Sequence, residues 1–393
     1  MNKISNKLSL LFILFYWIDV RIEFVLLFLL IVSILWSKAK LHQPVIFSYH
    51  DLLFVLYAFF VVLTNFNQAE FLRELRNLVL LLWAIRWCFQ NIEYTERYQN
   101  QLISTIGIVC FFLAFYMFFQ DEPGHFNFSL SYIISKDRNA GFNFIYPEPV
   151  GPTTIASILA VGYTYLLLKL VNKTNIFRIG FFIFTFLLIT ISGGRSSWIA
   201  IFFISITILY LKTDLLKPRN WIILGSILGI IILLFIFIIP DIPIFYSPEF
   251  QQRLFAFSDP SDNQTVTVRF IYWGIALAMF YAHPGGIGFW AYFDIYGRTA
   301  HNEILGQVLG VGIGGLIIYL GFYIYSFIEL RKMKKFQTTT DNFQVFAYSF
   351  FIVIFFTGIT ENFSISSRFI LYPLVWVMLG TISSKLRHLK NKK

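Results

Sequence analysis

Charged residues are scarce in this 393-residue chain, at 13% of the sequence, whereas a soluble globular protein averages roughly 25%. Apolar residues make up 57% and the mean hydropathy is +0.69, which excludes two independent soluble domains. Apolar stretches near twenty residues recur from end to end, each long enough to cross a bilayer as a helix. The sequence therefore predicts one all-α integral membrane domain over residues 1–393, since a β-barrel would show short alternating strands instead.

Cysteine is nearly absent as well. Cys88 and Cys110 both lie inside apolar segments, so a disulfide framework is not expected. A Walker A motif is missing, which argues against ATP-driven transport, and no Asp-x-Asp or HExxH pattern indicates a catalytic metal. We expect no cofactor and no nucleic-acid partner. Lys3 and Lys7 precede an apolar run that lacks a small-x-small cleavage site, so the first helix is expected to stay uncleaved.

About twelve membrane spans can be drawn along the chain. They lie near residues 8–20, 22–36, 45–64, 71–90, 101–119, 152–170, 177–192, 197–211, 221–239, 303–328, 343–358 and 369–384. Lysine and arginine concentrate in cytoplasmic loops. With the N-terminus inside, 21 of the 31 basic residues fall in inward-facing loops. Both termini are therefore predicted to be cytoplasmic.

The segment Phe270–Ala282 is apolar enough for a thirteenth span. Counting it as a span would place the basic cluster 331–335 outside, against the charge rule. We therefore expect 240–302 to form one large outer loop, with 270–282 as a helix that lies in or dips into the interface. A full span at this segment stays open as the alternative.

The basic residues outside the inward loops are mostly arginine, nine of ten. They are Arg21, Arg73, Arg76, Lys136, Arg138, Arg195, Arg253, Arg269, Arg298 and Arg368. Arginine binds phosphate through two parallel hydrogen bonds and keeps its charge when it is partly buried. This bias predicts an outer surface that holds an anion, with phosphate as the first candidate. For any single arginine, an ordinary surface or ion-paired role has about equal weight.

Two of these arginines, Arg73 and Arg76, fall inside the fourth predicted span. Charges within a membrane are costly and are functional by default, so both are candidates for substrate binding. Glu70 and Glu74 stand at helical spacing from them and offer structural pairing as the alternative.

Two motifs carry the remaining key arginines. Ser192–Trp198 reads SGGRSSW and places Arg195 at the mouth of a helix, which is a suitable anion site. A plain turn with a snorkelling arginine is the alternative. Further on, Arg269 opens the apolar segment, and the Pro/Gly cluster His283–Gly288 is expected to end that helix sharply. Arg269 has the alternative role of an interfacial anchor.

A third motif, Ala300-His301-Asn302-Glu303, opens the next span. A histidine beside an asparagine at a helix mouth is a candidate general base, although a lone interfacial histidine is more often structural. Asn302 would position the histidine or a bound sugar. Just after the motif, Gly306, Gly310 and Gly314 recur every four residues, a spacing that allows close helix packing.

A fourth motif lies in the loop before the span at 152. It contains Arg138, Tyr146 and Glu148 among prolines and a glycine, which stiffen a loop. Such a loop either lines an acceptor groove or only connects two spans. Arg298, in the predicted outer loop, is a further candidate for substrate binding. Trp273, Trp290 and Tyr292 either stack on sugar rings or sit in the interface.

Taken in order, these motifs resemble the O-antigen ligase/polymerase superfamily over residues 138–325. The shared features are GGRSSW before a span, an arginine on an interfacial helix, a Pro-Gly-Gly-x-Gly stretch and a His-Asn pair before a glycine-rich span. The resemblance implies a GT-C-like glycosyltransferase, inverting and metal-independent, acting at the periplasmic face of the bacterial inner membrane. It also implies that Arg195, Arg269 and His301 are the essential residues of its active site.

The resemblance implies an undecaprenyl-diphosphate-linked glycan as donor. The leading hypothesis is a polymerase that joins lipid-linked repeat units into O-antigen or capsular polysaccharide. A ligase that transfers finished glycan to lipid A–core shares the donor and the site and differs only in the acceptor. A flippase or other transporter is the hypothesis from a different class. Expected partners are the lipid-linked donor and acceptor, the membrane, a chain-length regulator and a flippase.

Overall fold

The protein is almost wholly helical in the part that the structure, a computed structural model, describes. This part comprises residues 2–16, 20–66, 75–122, 125–126, 152–173, 175–192, 194–212, 264–296, 300–337, 340–360 and 371–392. The first helices are α1 (Asn2–Phe15), α2 (Val20–Lys40), α3 (Tyr49–Asn65), a π-helical segment (Leu75–Leu81) that runs into α4 (Leu82–Asn91), and α5 (Glu96–Phe119).

The remaining elements follow a short antiparallel hairpin of two strands, β1 (Gln120–Glu122) and β2 (His125–Phe126). They are α6 (Pro152–Asn172), α7 (Ile176–Ser192), α8 (Arg195–Lys212), α9 (Gln264–Ala282), α10 (Ala291–Tyr296), α11 (Glu303–Met333), α12 (Asn342–Thr360) and α13 (Leu371–Asn391).

Five of the described helices are long and apolar enough to cross a membrane: α2, α5, α6, α11 and α12. Shorter apolar helices of 10–17 residues lie within α1, α3, α7, α8 and α9. Because isolated polar backbone is not tolerated in lipid, this is the architecture of an all-α, multi-pass membrane protein. The coarse fold prediction is therefore confirmed, whereas the count of twelve spans and the GT-C likeness stay predictions.

Eleven of the twelve predicted spans overlap a helix. The remaining one, 221–239, lies outside the described residues. The predicted helix at 270–282 also forms, as part of α9. Arg269 was expected to open this helix. It instead lies in its second turn, because α9 begins earlier, at Gln264.

The core of the bundle lies where α3, α11 and α13 pack together. Phe54, Phe322 and Trp376 meet there with ring centroids 4.7 to 5.0 Å apart, and all three are almost completely buried. Each such ring pair contributes about 0.5–1.5 kcal/mol beyond the burial itself. A second group of helices, α5, α6, α8 and α12, packs beside this core.

The helix α11 is broken at Gly312, which has φ 69° and ψ −178° inside an otherwise helical run. Such a left-handed φ is readily available only to glycine. The prediction of close helix packing is confirmed at Gly314, which faces α3, whereas Gly310 is approached by the loop after α9. A Cβ on Gly310 would lie 2.3 Å from the Phe289 ring, and one on Gly314 would lie 2.5 Å from the Phe60 ring. The break itself is not apparent from the four-residue spacing.

One end of the bundle gathers segments that the sequence predicts to face inward. Lys212 Nζ donates to Thr340 O at 2.9 Å, and Lys385 forms an ion pair with Asp341. Burial raises the pKa of the Asp341 carboxyl, but the Lys385 ammonium and local hydrogen bonds hold it below its ordinary value. We call this the basic end, defined by Lys212, Thr340, Asp341 and Lys385.

Arg86, counted among the inward-loop residues, is fully buried in α4 instead. It forms an ion pair with Asp51 in the first turn of α3, and Trp83 Nε1 donates to the same carboxylate oxygen at 2.9 Å. Arg86 therefore joins α4 to α3 near the basic end, because a buried charge needs a hydrogen-bonded counterion.

Candidate functional site

The turn before α11 holds His301 in an uncommon conformation. Its φ is 47°, in the left-handed region that residues other than glycine adopt rarely, although histidine does so more often than most. Asn302 caps the helix, since its Oδ1 accepts from Leu305 N at 3.1 Å. Backbone strain of about 1–3 kcal/mol persists where the surroundings over-determine it, and it clusters at functional sites. The predicted general base is thus fixed at the mouth of α11.

Asn302 also joins this turn to the end of α12. Its Nδ2 donates to Ile359 O at 3.2 Å. The next residue, Thr360, donates through Oγ1 to Ser196 Oγ at 3.1 Å. Ser196 directly follows Arg195, so the GGRSSW motif and the His-Asn motif meet across the last turn of α12. We call this region the His301 end, defined by Ser196, His301, Asn302 and Thr360.

The GGRSSW motif forms the predicted junction between two helices. The helix α8 begins at Arg195, as expected for a residue at a helix mouth. Trp198 Nε1 donates back to Ile189 O of α7 at 3.1 Å, and Gly194 O accepts from Ser197 N at 3.0 Å. The junction is therefore held on both sides. The side chain of Arg195 lies outside what the structure describes.

The helix α9, which carries the half-buried Arg269, lies beside the His301 turn. Ala276 of α9 is buried in one cluster with Tyr292, Ala300 and Leu309. Tyr292 Oη donates to Tyr272 O of α9 at 3.0 Å. Because Ala300 immediately precedes His301, this cluster brings α9 against the turn. Three of the sequence motifs thus lie at one end of the bundle.

The Pro/Gly cluster after α9 makes a backbone-to-backbone contact with the break in α11. Ile287 N donates to Leu309 O at 2.7 Å, and Ile313 N donates to Pro284 O at 3.1 Å. A Cβ on Gly312 would lie 2.4 Å from Gly285 O. The predicted sharp end of the helix is confirmed, since α9 stops at Ala282. The glycines of the loop and of α11 allow their two backbones to approach closely, a role that the sequence did not reveal.

A buried carboxylate, Glu303, stands two residues after His301. It is 5% exposed, and its Oε1 accepts from Gln307 Nε2 at 3.0 Å. Gln307 Oε1 in turn accepts from Tyr57 Oη at 2.8 Å, which ties α11 to α3. An acidic residue in the first turn of an apolar helix is a signal visible in the sequence, but Glu303 is not among the predicted site residues.

Several predicted site residues lie outside the described residues. They are Arg73, Arg138, Tyr146, Glu148 and Arg298. Arg76 lies in the π-helical segment, and its side chain is outside the description as well. Of the predicted outer loop 240–302, the described part begins at residue 264. In the part of the chain that the structure describes, no group of three or more His, Cys, Asp or Glu residues is placed to hold a metal ion.

No protein-family model matches the chain, and no curated protein matches it. The function proposed for this protein therefore depends on its motifs and on the geometry of the His301 end.

Proposed function

We propose that this protein is a membrane glycosyltransferase that joins undecaprenyl-diphosphate-linked repeat units into O-antigen or capsular polysaccharide. One observation carries the proposal: Asn302 and Ser196, the neighbours of His301 and Arg195, are joined through Ile359 and Thr360 at the end of α12. Motifs that lie a hundred residues apart in the sequence are thereby adjacent, as an active site built from them requires.

The proposed chemistry needs charge neutralisation more than acid catalysis. The leaving group is a polyprenyl diphosphate, which departs readily once its developing charge is stabilised. Arg195 and Arg269 supply that stabilisation through charge-assisted hydrogen bonds, in place of a metal ion. The acceptor sugar hydroxyl requires a base, and His301 takes its proton, with Asn302 holding the turn.

The proposed site faces the periplasm of a bacterial inner membrane, with both termini in the cytoplasm. This orientation follows from the charge rule, which assigns the basic end to the cytoplasmic side. Two further proteins, a flippase and a chain-length regulator, are proposed partners. Proposed substrate contacts beyond the two arginines come from Arg73, Arg76, Arg138, Tyr146, Glu148, Asn302 and Arg298.

A ligase that transfers finished glycan to lipid A–core is the nearest alternative. It uses the same donor and the same residues, and only the acceptor differs. Deletion of the gene in its host separates the two. A polymerase predicts lipid A–core that carries single repeat units, whereas a ligase predicts bare core with long glycans retained on undecaprenyl diphosphate.

Lipid-linked oligosaccharide transport is the alternative from another class, and the broken helix α11 favours it. Interrupted spanning helices are typical of secondary transporters, where they form the substrate site. The break at Gly312 is covered by loop 283–289, however, and the motif residues gather at the His301 end. Transfer is therefore the better-supported function.

A reconstituted assay tests the proposal directly. The purified protein in liposomes receives lipid-linked repeat units, and the products are resolved by length. We expect Arg269→Ala and His301→Ala to reduce transfer at least about a hundredfold, the size of effect seen when one transition-state donor or a general base is removed. Arg331→Ala is the matched control, because Arg331 is an exposed arginine near the other end of α11.

Two outcomes would overturn the proposal. Transfer unaffected by both substitutions would remove the assigned site. Accumulation of lipid-linked units on the inner leaflet in the deletion strain, with no transfer by the purified protein, would favour transport instead.

A further inference from the structure

Thr64 and Asn65, at the end of α3, form hydrogen bonds with both α11 and the loop 283–289 that contacts it. Asn65 is fully buried, and its Oδ1 accepts from Phe289 N of loop 283–289 at 3.0 Å. Thr64 Oγ1 donates at 2.8 Å to Gly310 O, next to the break in α11, and Asn65 Nδ2 lies 3.4 Å from the same oxygen. We call this arrangement the clamp: Thr64, Asn65, Gly310 and loop 283–289.

The clamp satisfies backbone groups that the break sets free. A helix end leaves its last carbonyls without intrahelical donors, and such groups are expensive in a membrane interior. Here Leu309 O accepts from Ile287 N and Gly310 O accepts from Thr64, while Ile313 N donates to Pro284 O. The loop and α11 are therefore joined through backbone hydrogen bonds. The side chains of Thr64 and Asn65 attach α3 to this junction.

Two helical arms run from this junction toward the His301 end. Arg269 lies 13 residues before the end of α9, about 20 Å along a helix axis, and His301 lies 11 residues before Gly312, about 16 Å. Ala276 of α9 and Leu309 of α11 are buried in one cluster, and the two helices pack against each other. A tilt of about 10° at the junction moves either far end by about 3 Å over such a length.

We infer that Asn65 is a positioning residue, which fixes the spacing of Arg269 and His301 through the clamp although it touches neither. The inference rests on the proposed function for its catalytic consequence, but its mechanical part stands alone. A misplacement of about 1 Å in an active site costs about a hundredfold in rate. Loss of the Asn65 hydrogen bond should therefore reduce transfer strongly, because the two helical arms enlarge a small tilt at the junction.

The chain offers a matched control in Asn91. It too is the last residue of a helix, and its Oδ1 accepts from a distant backbone amide, Ile46 N, at 3.1 Å. Each asparagine also donates to the carbonyl four residues earlier, Asn65 to Val61 at 3.0 Å and Asn91 to Trp87 at 3.1 Å. Asn91 differs in location, since it lies near the basic end, away from both arms.

Kinetics of Asn65→Ala and Asn91→Ala in the reconstituted assay test the catalytic part. For Asn65→Ala we expect kcat/KM to fall about a hundredfold. Its donor KM should rise about tenfold, as when one charge-assisted hydrogen bond to the diphosphate is lost. Loss of folded protein lowers the apparent kcat alone and leaves KM unchanged, so the rise in KM identifies positioning. Asn91→Ala is expected to keep the KM of the unmodified protein.

Amide hydrogen exchange tests the mechanical part without any activity. Asn65→Ala should accelerate exchange in peptides that cover 283–290 and also in those that cover 300–306, at the far end of the arm. Asn91→Ala should accelerate exchange around Ile46 only. Thr64→Val, which removes one hydroxyl and preserves the shape of the side chain, should accelerate exchange in the same peptides as Asn65→Ala, but less. It replaces Asn65→Ala in this test if the alanine variant fails to fold.

The outcomes separate the inference from the proposed function. If the unmodified protein transfers no glycan, the proposed function fails while the exchange pattern still decides the clamp. If transfer is present but Asn65→Ala and Thr64→Val keep the original donor KM, the positioning role is wrong. Faster exchange confined to 283–290, without any change at 300–306, would show that the arms do not act as levers.

Discussion

The two ends of the bundle are held together by different chemistry. Near the basic end, a buried basic side chain pairs with a carboxylate in two places, Arg86 with Asp51 and Lys385 with Asp341. At the His301 end, the link between α12 and α8 is a neutral hydrogen bond, from Thr360 to Ser196. The charges of these two ion pairs thus stabilise the fold. The His301 end instead combines an uncommon backbone conformation at His301 with neutral hydrogen bonds, and backbone strain clusters at functional sites.

The largest expected change in the free energy of unfolding comes from a substitution at the basic end. Asp51→Asn leaves the fully buried Arg86 without its counterion, which typically costs about 3–5 kcal/mol. We expect a clear drop in the midpoint of thermal unfolding in detergent. The donor KM of the protein that stays folded should be unchanged.

Glu93→Gln serves as the control, because Glu93 is an exposed carboxylate at the same end. Equal thermal midpoints for the two variants would contradict the assigned role of the pair. A changed donor KM in Asp51→Asn would break the comparison, since the basic end would then contribute to function.

The next effect falls on the junction in α11. Gly312→Ala forces a left-handed φ on a residue with a Cβ and places that atom 2.4 Å from Gly285 O. Strain and overpacking together should cost about 2–4 kcal/mol. Gly274→Ala is the control, because nothing lies within 4 Å of its Cβ position on α9, and it should gain up to about 1 kcal/mol. Similar unfolding midpoints for the two alanine variants would mean that the backbone contact is not tight.

Hydropathy was sufficient to predict the described helices other than the short α10, because crossing a bilayer imposes a length and a composition on each segment. The charge rule correctly grouped the segments that meet around Lys212 and Lys385. It misassigned Arg86, since positive charge in a loop and positive charge in a buried ion pair look alike in a sequence.

The motifs predicted the helix start at Arg195 and the helix that opens after His301 and Asn302, whereas the cap formed by Asn302 is seen only in the structure. The break at Gly312 and the role of Asn65 were missed. The role of Asn65 depends on a contact across more than 200 residues of chain, and the break at Gly312 depends on a contact with loop 283–289. Neither glycine spacing nor the end of an apolar run identifies such a partner.

A smaller effect compares two histidines in the same uncommon backbone conformation. His42 and His301 have φ of 49° and 47°. Glycine at either position relieves the strain but increases the entropy of the unfolded chain, so we expect a net gain of about 0.5–1 kcal/mol in His42→Gly, where the side chain is exposed. His301→Gly should abolish transfer, whereas His42→Gly should retain it. Loss of stability in His301→Gly would show that this side chain serves the fold.

The smallest effect concerns the bond that joins the two motifs. A double-mutant cycle of Ser196→Ala and Thr360→Val measures its coupling, which should be about 0.6 kcal/mol in stability, the usual size for such bonds between membrane helices. Ser9 and Tyr98 form a comparable hydroxyl pair at 2.9 Å between α1 and α5, and a cycle of Ser9→Ala and Tyr98→Phe should give a similar value. Only the first pair is expected to show coupling in the donor KM as well, because only Ser196 adjoins a proposed phosphate ligand. Coupling in KM at both pairs, or at neither, would remove the functional distinction between the two regions and leave only the difference in charge.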